Sequence, residues 1–501
     1  MGLESVGGLA MHTILSKLGP LEAASVSCLS RRFRGWASDD SLWAGFCSHD
    51  LDLSSPLDPY GNPLPSFKAA YTAWREEFSM YPWPLVIRVK NCWSKLKEWL
   101  AVNFPEVLPT LRKGASEDAL KEFENTLKIK LPLPTRVLYR FCDGQELPNE
   151  HFTGSLPTSL LGIIGGYALY DHLVNVFLLP LRQVILDTKG IMHQLGFSSR
   201  SKYIVVAASA TYSEKIFFLN CSSGQLFVGT RNLVTDGEML PCVPDALISS
   251  VHDAAGNQQQ DAMLLWLEEH GRRLQDGIIK VRKEGKIRSI NLFPEKPPLC
   301  SSAITNGVKV RASAAFVPEF SNLQDESEKF LFAYSIRMSL SPDGCVINGM
   351  TFSSCQLYWR HWIIRANDAI VSDVNGEAVI GKFPLLHPGE EEFVYESCTS
   401  LPASRGSIEG SFTFVPGSPC IGLTVQALCT YHPTVEAPRR LFFFCLPGRK
   451  HSFMERKLLE EEYYPVLHHI LGSILGLADA KGSPFAVEVA RFPLQLPNYI
   501  F

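Results

Sequence analysis

The chain has 501 residues, 46% of them hydrophobic and 20% charged, and a formal net charge of -4 at pH 7. That length predicts roughly two to four domains, since single cores stop growing near about 250 to 300 residues, and the composition supplies apolar material for real cores. The near-neutral charge, with no long Lys/Arg run, excludes the electrostatic footprint of a nucleic-acid binder. No apolar stretch approaches the roughly 18 residues of a membrane span, so no membrane contact is expected. Thirteen cysteines, an odd number with no Cys-x-x-Cys, argue for reduced thiols rather than a disulfide framework or zinc ribbon. Glu4 and the Gly7-Gly8 pair interrupt any signal peptide, and Val6 stands where myristoylation would need Ser or Thr. The cytoplasm, the nucleus or both is the expected location.

In chain order, residues 1–48 read as short helices. Leu9, Ile14, Leu15 and Leu18 recur at helical spacing, Gly19-Pro20 breaks the run, Leu21 to Val26 resumes it, and a third segment lies near Asp40 to Phe46. So short a unit cannot bury all its apolar groups alone, which predicts a partner protein. The series Ile14-Leu15, Leu18, Pro20, Val26, Ser30-Arg31-Arg32-Phe33 and Leu42-Trp43 resembles an F-box, with Val6-Gly7-Gly8 in place of the usual opening Leu-Pro. The resemblance implies a Skp-type adaptor, and through it a cullin, as partners, with Leu9, Ile14, Leu15, Leu18, Pro20, Val26, Leu42 and Trp43 as adaptor-binding residues.

Residues 49–94 begin with a Pro-rich stretch and continue as a helical connector, with Tyr71, Trp74 and Phe78, then Trp93, Leu96 and Leu100, at core spacing. From Ser116, an N-cap followed by acids, the chain reads Glu117 to Glu124, then a Pro-bracketed turn at Leu131-Pro132-Leu133-Pro134 before Val137 to Phe141. With Gly162-Ile163-Ile164-Gly165, Val174 to Leu181, Tyr203 to Val206 and Ile216 to Leu219, residues 95–250 resemble the SUKH domain, an α+β module that works by gripping partners. Residues 251–300 read as a helical linker carrying Met263, Leu264, Leu267 and Leu274.

Residues 301–501 turn to strand grammar. Alternation runs through Ile304 to Ala312, Phe332 to Met338 and Gln356 to Ile364, with turns at Pro342-Asp343-Gly344 and Asn375-Gly376, which predicts a sandwich. Arg360-His361-Trp362-Ile363-Ile364, Val374 to Gly381, Phe393 to Ser397 and Gly406 to Phe412 resemble the ApaG domain. An atypical insertion at about 419–480, carrying Arg439-Arg440-Leu441-Phe442-Phe443-Phe444-Cys445, separates Phe412-Thr413-Phe414-Val415 from a last strand near Phe485 to Val489; a gene-model error is the preferred reading and a binding insertion the rival. The expected fold class is multidomain α+β: a helical F-box, an α+β SUKH-like domain and a C-terminal all-β sandwich of immunoglobulin or fibronectin type. The order of regions resembles that of plant Skp-interacting F-box proteins ending in ApaG, with an animal F-box-only relative of similar plan.

Bacterial ApaG proteins carry a Gly-x-Gly-x-x-Gly turn linked to pyrophosphate. Here Ala378 replaces its middle glycine and would obstruct an anion's approach to backbone N–H groups. Gly376 to Lys382 also matches the start of a P-loop, but Phe383 and Pro384 deny it the magnesium hydroxyl and the helix. His361 and the His468-His469 pair lack ligand spacing, and Glu390-Glu391-Glu392 reads as a solvated turn. No catalytic residue, metal or cofactor is expected. The resemblances imply a substrate-recognition subunit of an SCF-type ubiquitin ligase that binds an unknown protein substrate; a small-molecule sensor gating the ligase and a non-degradative scaffold are the alternatives.

Overall fold

The computed structural model describes residues 6–147, 159–170, 172–195, 202–209, 215–248, 260–284, 287–417 and 483–501. The expected insertion at about 419–480 and the His468-His469 pair lie outside the described residues.

Four helices open the chain: α1 (Gly8–Leu18), α2 (Pro20–Val26), α3 (Arg31–Ala37) and α4 (Asp40–Leu51). Gly19, at φ +97°, ends α1 in a conformation that L side chains rarely adopt, and Pro20 then opens α2 where its missing N–H costs nothing. Ser30 accepts from Phe33 N at 3.3 Å to start α3, and Asp39 accepts from Ser41 N at 2.9 Å to start α4. The third helix was not expected. Its buried residues are only Phe33 and Ala37, too few to make an apolar stripe. Next come α5 (Phe67–Glu77) and α6 (Trp83–Asn103); the second runs past the expected boundary at 94 and carries Trp93, Leu96 and Leu100 into the core. Trp43 of α4 meets Tyr71 of α5 at 5.5 Å between ring centres, and Tyr71 meets Trp83 at 5.8 Å.

The central region joins α7 (Glu117–Leu127), α8 (Leu133–Phe141), α9 (Leu181–Gln194), a short α10 (Leu233–Asp236) and α11 (Ala262–Gln275) to a nine-stranded sheet. Ser116 caps α7 by accepting from Ala119 N at 3.1 Å. The strands are β1 (Ser159–Leu160), β2 (Gly165–Leu169), β3 (His172–Leu178), β4 (Tyr203–Ser209), β5 (Ile216–Asn220), β6 (Leu226–Gly229), β7 (Met239–Pro241), β8 (Lys280–Glu284) and β9 (Ile287–Asn291). Their order is β1-β9-β2-β3-β4-β5-β6-β7, with β8 beside β9. Residues 251–300, expected as a helical linker, thus hold one described helix and two strands that complete the sheet. Asp261 ties the N-terminus of α11 to that of α8, accepting from Leu264 N at 3.0 Å and from Thr135 N and Oγ1 at 2.8 and 2.7 Å.

The C-terminal sandwich sets β10 (Cys300–Thr305), β11 (Val308–Phe316), β12 (Phe330–Leu340) and β18 (Phe393–Leu401) against β15 (Cys355–Ala366), β16 (Ala369–Glu377), β19 (Arg405–Pro416) and β20 (Phe485–Gln495). A hairpin of β13 (Cys345–Ile347) and β14 (Met350–Phe352) and the short β17 (Leu385–Leu386) complete it. The alternation read as one run over Ile304 to Ala312 is two strands joined by the tight turn Asn306-Gly307. β12 is buried on both faces because its outer side packs on the central region, where Arg282 donates to Ser335 Oγ at 3.1 Å.

Three contacts weld sandwich to centre. Glu319 accepts from Tyr167 OH at 2.7 Å, lies 3.1 Å from His172 Nε2 and 3.8 Å from Lys215 Nζ, and all but His172 are buried. Glu295 binds Arg282 at 2.7 Å, Arg311 at 3.0 Å and Arg337 at 2.8 Å. Ile500 accepts from Trp266 Nε1 at 2.7 Å, and the Phe501 ring stacks on Trp266 at 5.4 Å.

β19 and β20 are antiparallel neighbours whose pairing reaches Phe414 opposite Phe485. Deleting residues 418–482 leaves Val415-Pro416-Gly417-Ser483-Pro484 as a hairpin loop, with Gly417 already at φ +68°. The shortened chain is expected to stay folded with an unchanged or higher melting temperature, because closure entropy grows with loop length. Circular dichroism and thermal unfolding check this; loss of the strand signal would show that the segment holds the sandwich together.

Candidate functional site

The N-terminal helices divide their apolar residues between a core and a surface. Met11 and Leu15, four apart on α1, point inward with Ala23, Phe33, Leu42 and Trp43, and Trp43 Nε1 donates to Ala37 O at 2.7 Å. Ile14 and Leu18, also four apart, point outward, and Leu21 follows across the Gly19-Pro20 turn. Leu9, Ile14, Leu18 and Leu21 are 85%, 40%, 47% and 59% exposed. Nine positions on a helix are about two and a half turns, so Leu9 leaves α1 on nearly the opposite bearing from Leu18. Of the eight residues expected to bind an adaptor, then, Leu9, Ile14 and Leu18 are exposed, Pro20 and Val26 are half-buried, and Leu15, Leu42 and Trp43 lie in the bundle core. Leu21 and the exposed Leu29 were not among the expected site residues; their signal was apolar character in segments whose core needs were already met.

This surface carries no set of groups for bond chemistry. Its physical property is a stripe of large aliphatic side chains held on a bundle whose interior is already filled, which is what a docking face requires. Arg31, Arg32 and Arg34 stand exposed on α3, with the Arg32 guanidinium 5.0 Å from the Trp36 ring centre.

In the sandwich, the turn from Gly376 to Lys382 is built around a cation. Arg360 Nη1 donates to the carbonyls of Glu377 at 3.0 Å and Ala378 at 2.8 Å, and the turn's own N–H groups are spent on protein carbonyls, Ala378 N on Tyr358 O at 3.0 Å and Val379 N on Lys382 O at 3.0 Å. Ala378 is buried at φ +57° and Ile380 lies at φ +49°. The backbone N–H groups at Ala378 and Val379 are thus already bonded and the Ala378 methyl stands beside them, which is not the open N–H cradle of a phosphate-binding turn. His361 is half-buried, 2.8 Å from Asp373. Glu392 of the triple-Glu turn accepts from Arg311 and Arg337, both at 2.6 Å, and so is an interface group rather than a solvated one.

Among the described residues no group of three or more His, Cys, Asp or Glu is placed to hold a metal, and the described cysteines are free thiols, most of them buried. Burial pushes the Cys92 and Cys142 thiols up to about 12, which keeps them protonated and unreactive. No helix among the described residues is long and apolar enough to cross a membrane.

The ApaG domain family matches residues 320–416, ending where β19 ends; β10, β11 and β20 lie outside the match yet belong to the same sandwich. The chain is 25% identical over 420 residues to the human F-box only protein 3, covering 82% of this chain and 79% of that one. It is 36% identical over 108 residues to the ApaG protein of Nitrosomonas europaea, covering 22% and 76%. Over 503 residues, with all of both chains covered, it is 55% identical to the F-box protein SKIP16 of Arabidopsis thaliana. End-to-end identity at that level, with an ApaG sandwich behind a helical N-terminus, means that the chain belongs to the F-box protein family of SKIP16.

Proposed function

We propose that the chain is the substrate-recognition subunit of an SCF-type ubiquitin ligase: the N-terminal bundle docks on a Skp-type adaptor and through it a cullin, while the central and ApaG regions recruit the protein to be marked. The central α+β region acts in this reading as a SUKH-like gripping module, and the protein works in the cytoplasm, the nucleus or both. The receptor performs no bond chemistry. Its contribution is proximity, holding a client lysine near a charged ubiquitin-conjugating enzyme so that transfer becomes effectively intramolecular.

The observation that carries the reading is the outward stripe of Ile14, Leu18 and Leu21 on a bundle with its own filled core. Leu9 is available at the first turn, Pro20 and Val26 flank the stripe, and Leu15, Leu42 and Trp43 act from inside by fixing the helices that bear it. The Arg360-centred turn supports a protein receptor over a nucleotide sensor, since two of its carbonyls already take Arg360 Nη1 and the Ala378 methyl stands where a phosphate turn would need glycine.

Replacing Ile14 and Leu18 together by Asp is expected to weaken adaptor binding on the order of 100-fold or more while the helical signal is kept, because central apolar anchors are each worth about 2 kcal/mol or more. Leu15→Ala serves as the contrast: it opens a core cavity and lowers stability by about 2 to 5 kcal/mol instead. Titration of the purified full chain with a Skp-type adaptor, beside thermal unfolding, separates the two effects. Undiminished affinity in the Asp double variant would overturn the docking assignment.

A further inference from the structure

β16 is a bare sheet edge of unusual character. Among the described residues it pairs with β15 alone and ends the order β16-β15-β19-β20. The opposite end of that sheet is covered, since β20 meets β10, with Ser301 Oγ donating to Ala490 O at 2.7 Å. In the facing sheet, β18 lies against the central strand β2. Natural proteins usually blunt a free edge with Lys, Pro, a bulge or brevity, and of these β16 has the bulge alone: its pairing with β15 passes from Ser372–Ile364 to Ile370–Arg365 and skips Val371. β16 spans Ala369–Glu377, contains no Lys, Arg or Pro, and exposes three large aliphatic side chains: Ile370 at 55%, Val371 at 47% and Val374 at 39%.

Its charge is of one sign. Between Ala366 and Gly381 the only ionisable residues are Asp368, Asp373 and Glu377. Val374 stands opposite Trp362 and Ser372 opposite Ile364, both facing the sandwich core, whereas Ile370, opposite Arg365 beyond the bulge, shares the outer face with Asp373. An incoming strand therefore meets aliphatic groups on both faces and a carboxylate near the middle of one.

We infer that the β16 edge captures an extended client segment by strand addition, and that the segment fitting it alternates β-branched residues with basic ones. The inference rests on the reading that the ApaG region recruits client proteins, and it names the chemistry of the client. A second copy of this chain is a poor occupant. Two-fold antiparallel pairing over Ala369–Glu377 sets Asp373 opposite Asp373, Val371 opposite Asn375 and Val374 opposite Ser372, which joins like charges and wastes the aliphatic groups on polar ones. A strand with its basic side chains on the outer face instead adds a second cation at Asp373, which His361 already approaches at 2.8 Å, and sets its β-branched side chains beside Val374 on the other face, while main-chain hydrogen bonds supply the rest of the affinity.

The test uses the full chain and a nine-residue capped peptide alternating valine with lysine or threonine, beside the same peptide with glutamate for lysine. Backbone hydrogen exchange is expected to slow about tenfold or more at β16 amides with the basic peptide and to stay unchanged with the acidic one. Val371→Lys with Val374→Lys is expected to abolish the protection without altering the melting temperature, and Asp373→Lys to reverse the peptide preference. Protection elsewhere, or none at β16 at millimolar peptide, overturns the inference, as does a concentration-dependent dimer that the double Lys variant dissociates. In cells lacking the receptor, clients that accumulate and are cleared equally by the wild-type chain and the double Lys variant would sink the β16 inference alone. No accumulation at all would sink the receptor reading, leaving the peptide result to judge the edge by itself.

Discussion

Replacing Lys215 by Met is expected to destabilise the chain by about 3 to 5 kcal/mol, the cost of leaving a buried carboxylate without its cation. Lys215 is fully buried, 3.8 Å from Glu319, and donates to Tyr167 OH at 2.9 Å. Burial works to raise the Glu319 carboxyl, but Lys215, His172 and Tyr167 together outweigh it and hold the group below the ordinary carboxylate range. Removing Lys215 takes away the largest of those counterweights. Adding Glu319→Gln to the Met variant is expected to recover most of the loss, because a neutral amide still accepts from Tyr167 and needs no cation. Urea unfolding of the single and double variants measures both. A Lys215→Met chain within about 1 kcal/mol of the parent would show that the pair contributes little to the weld between sandwich and centre.

The second large effect is a loss of stability in mild acid. His270 of α11 is fully buried against Phe501; its Nε2 donates to Ile163 O at 2.7 Å, and its Nδ1 has no partner. Burial pushes the imidazole down from the ordinary 6.5 to about 4, because a proton on Nδ1 would sit without an acceptor. Below pH 6.5 the unfolded chain takes up that proton and the folded chain does not, so stability falls as pH drops from about 6.5 to about 4, and the contribution is fully present above that window. The whole fall is about 3 kcal/mol. His270→Gln keeps a donor for Ile163 and removes the titration. Its unfolding free energy, followed by urea titration at pH 7.5, 6 and 4.5, is expected to decline less steeply than that of the parent; identical slopes would remove His270 from the account.

Local rules were legible wherever one residue type enforces one geometry. The Gly19-Pro20 break and the Ser116 cap follow from sterics and capping that act within a few residues, whereas the turn expected at Asn375-Gly376 is absent: both residues lie inside β16, paired with His361 and Arg360, and the chain reverses at Asn367-Asp368 instead. The facing of α1 was not legible in the same way. Met11-Leu15 and Ile14-Leu18 are both apolar pairs at i, i+4, so periodicity alone cannot say which is core and which is surface; the packing of α2, α3 and α4 decides it. β8, within the stretch expected as a helical linker, carries Lys280, Arg282 and Lys283 rather than an apolar alternation, and Arg282 is buried only because the distant Glu295 pairs with it. Lys215 and Glu319 are far apart in sequence and lie in segments that read as separate domains, so no window of sequence could pair them. The bare edge at β16 is a property of strand order, which alternation along one strand does not encode.

The aromatic run from Trp43 through Tyr71 to Trp83 leads into α6, which lies along α8 and α11 of the central region, with Arg88 paired to Glu268 at 2.6 Å and Trp93 Nε1 donating to Leu138 O at 3.2 Å. A flexible tether would let a captured client sample many positions in front of the transferring enzyme and smear the reaction over every lysine within reach. A packed joint acts as a ruler. On the proposed receptor reading, an adaptor held on the bundle and a client held beyond the joint would confine the modified lysines to a narrow shell of space, so that site choice on the client would be set by where its lysines sit relative to the captured segment rather than by the sequence around them.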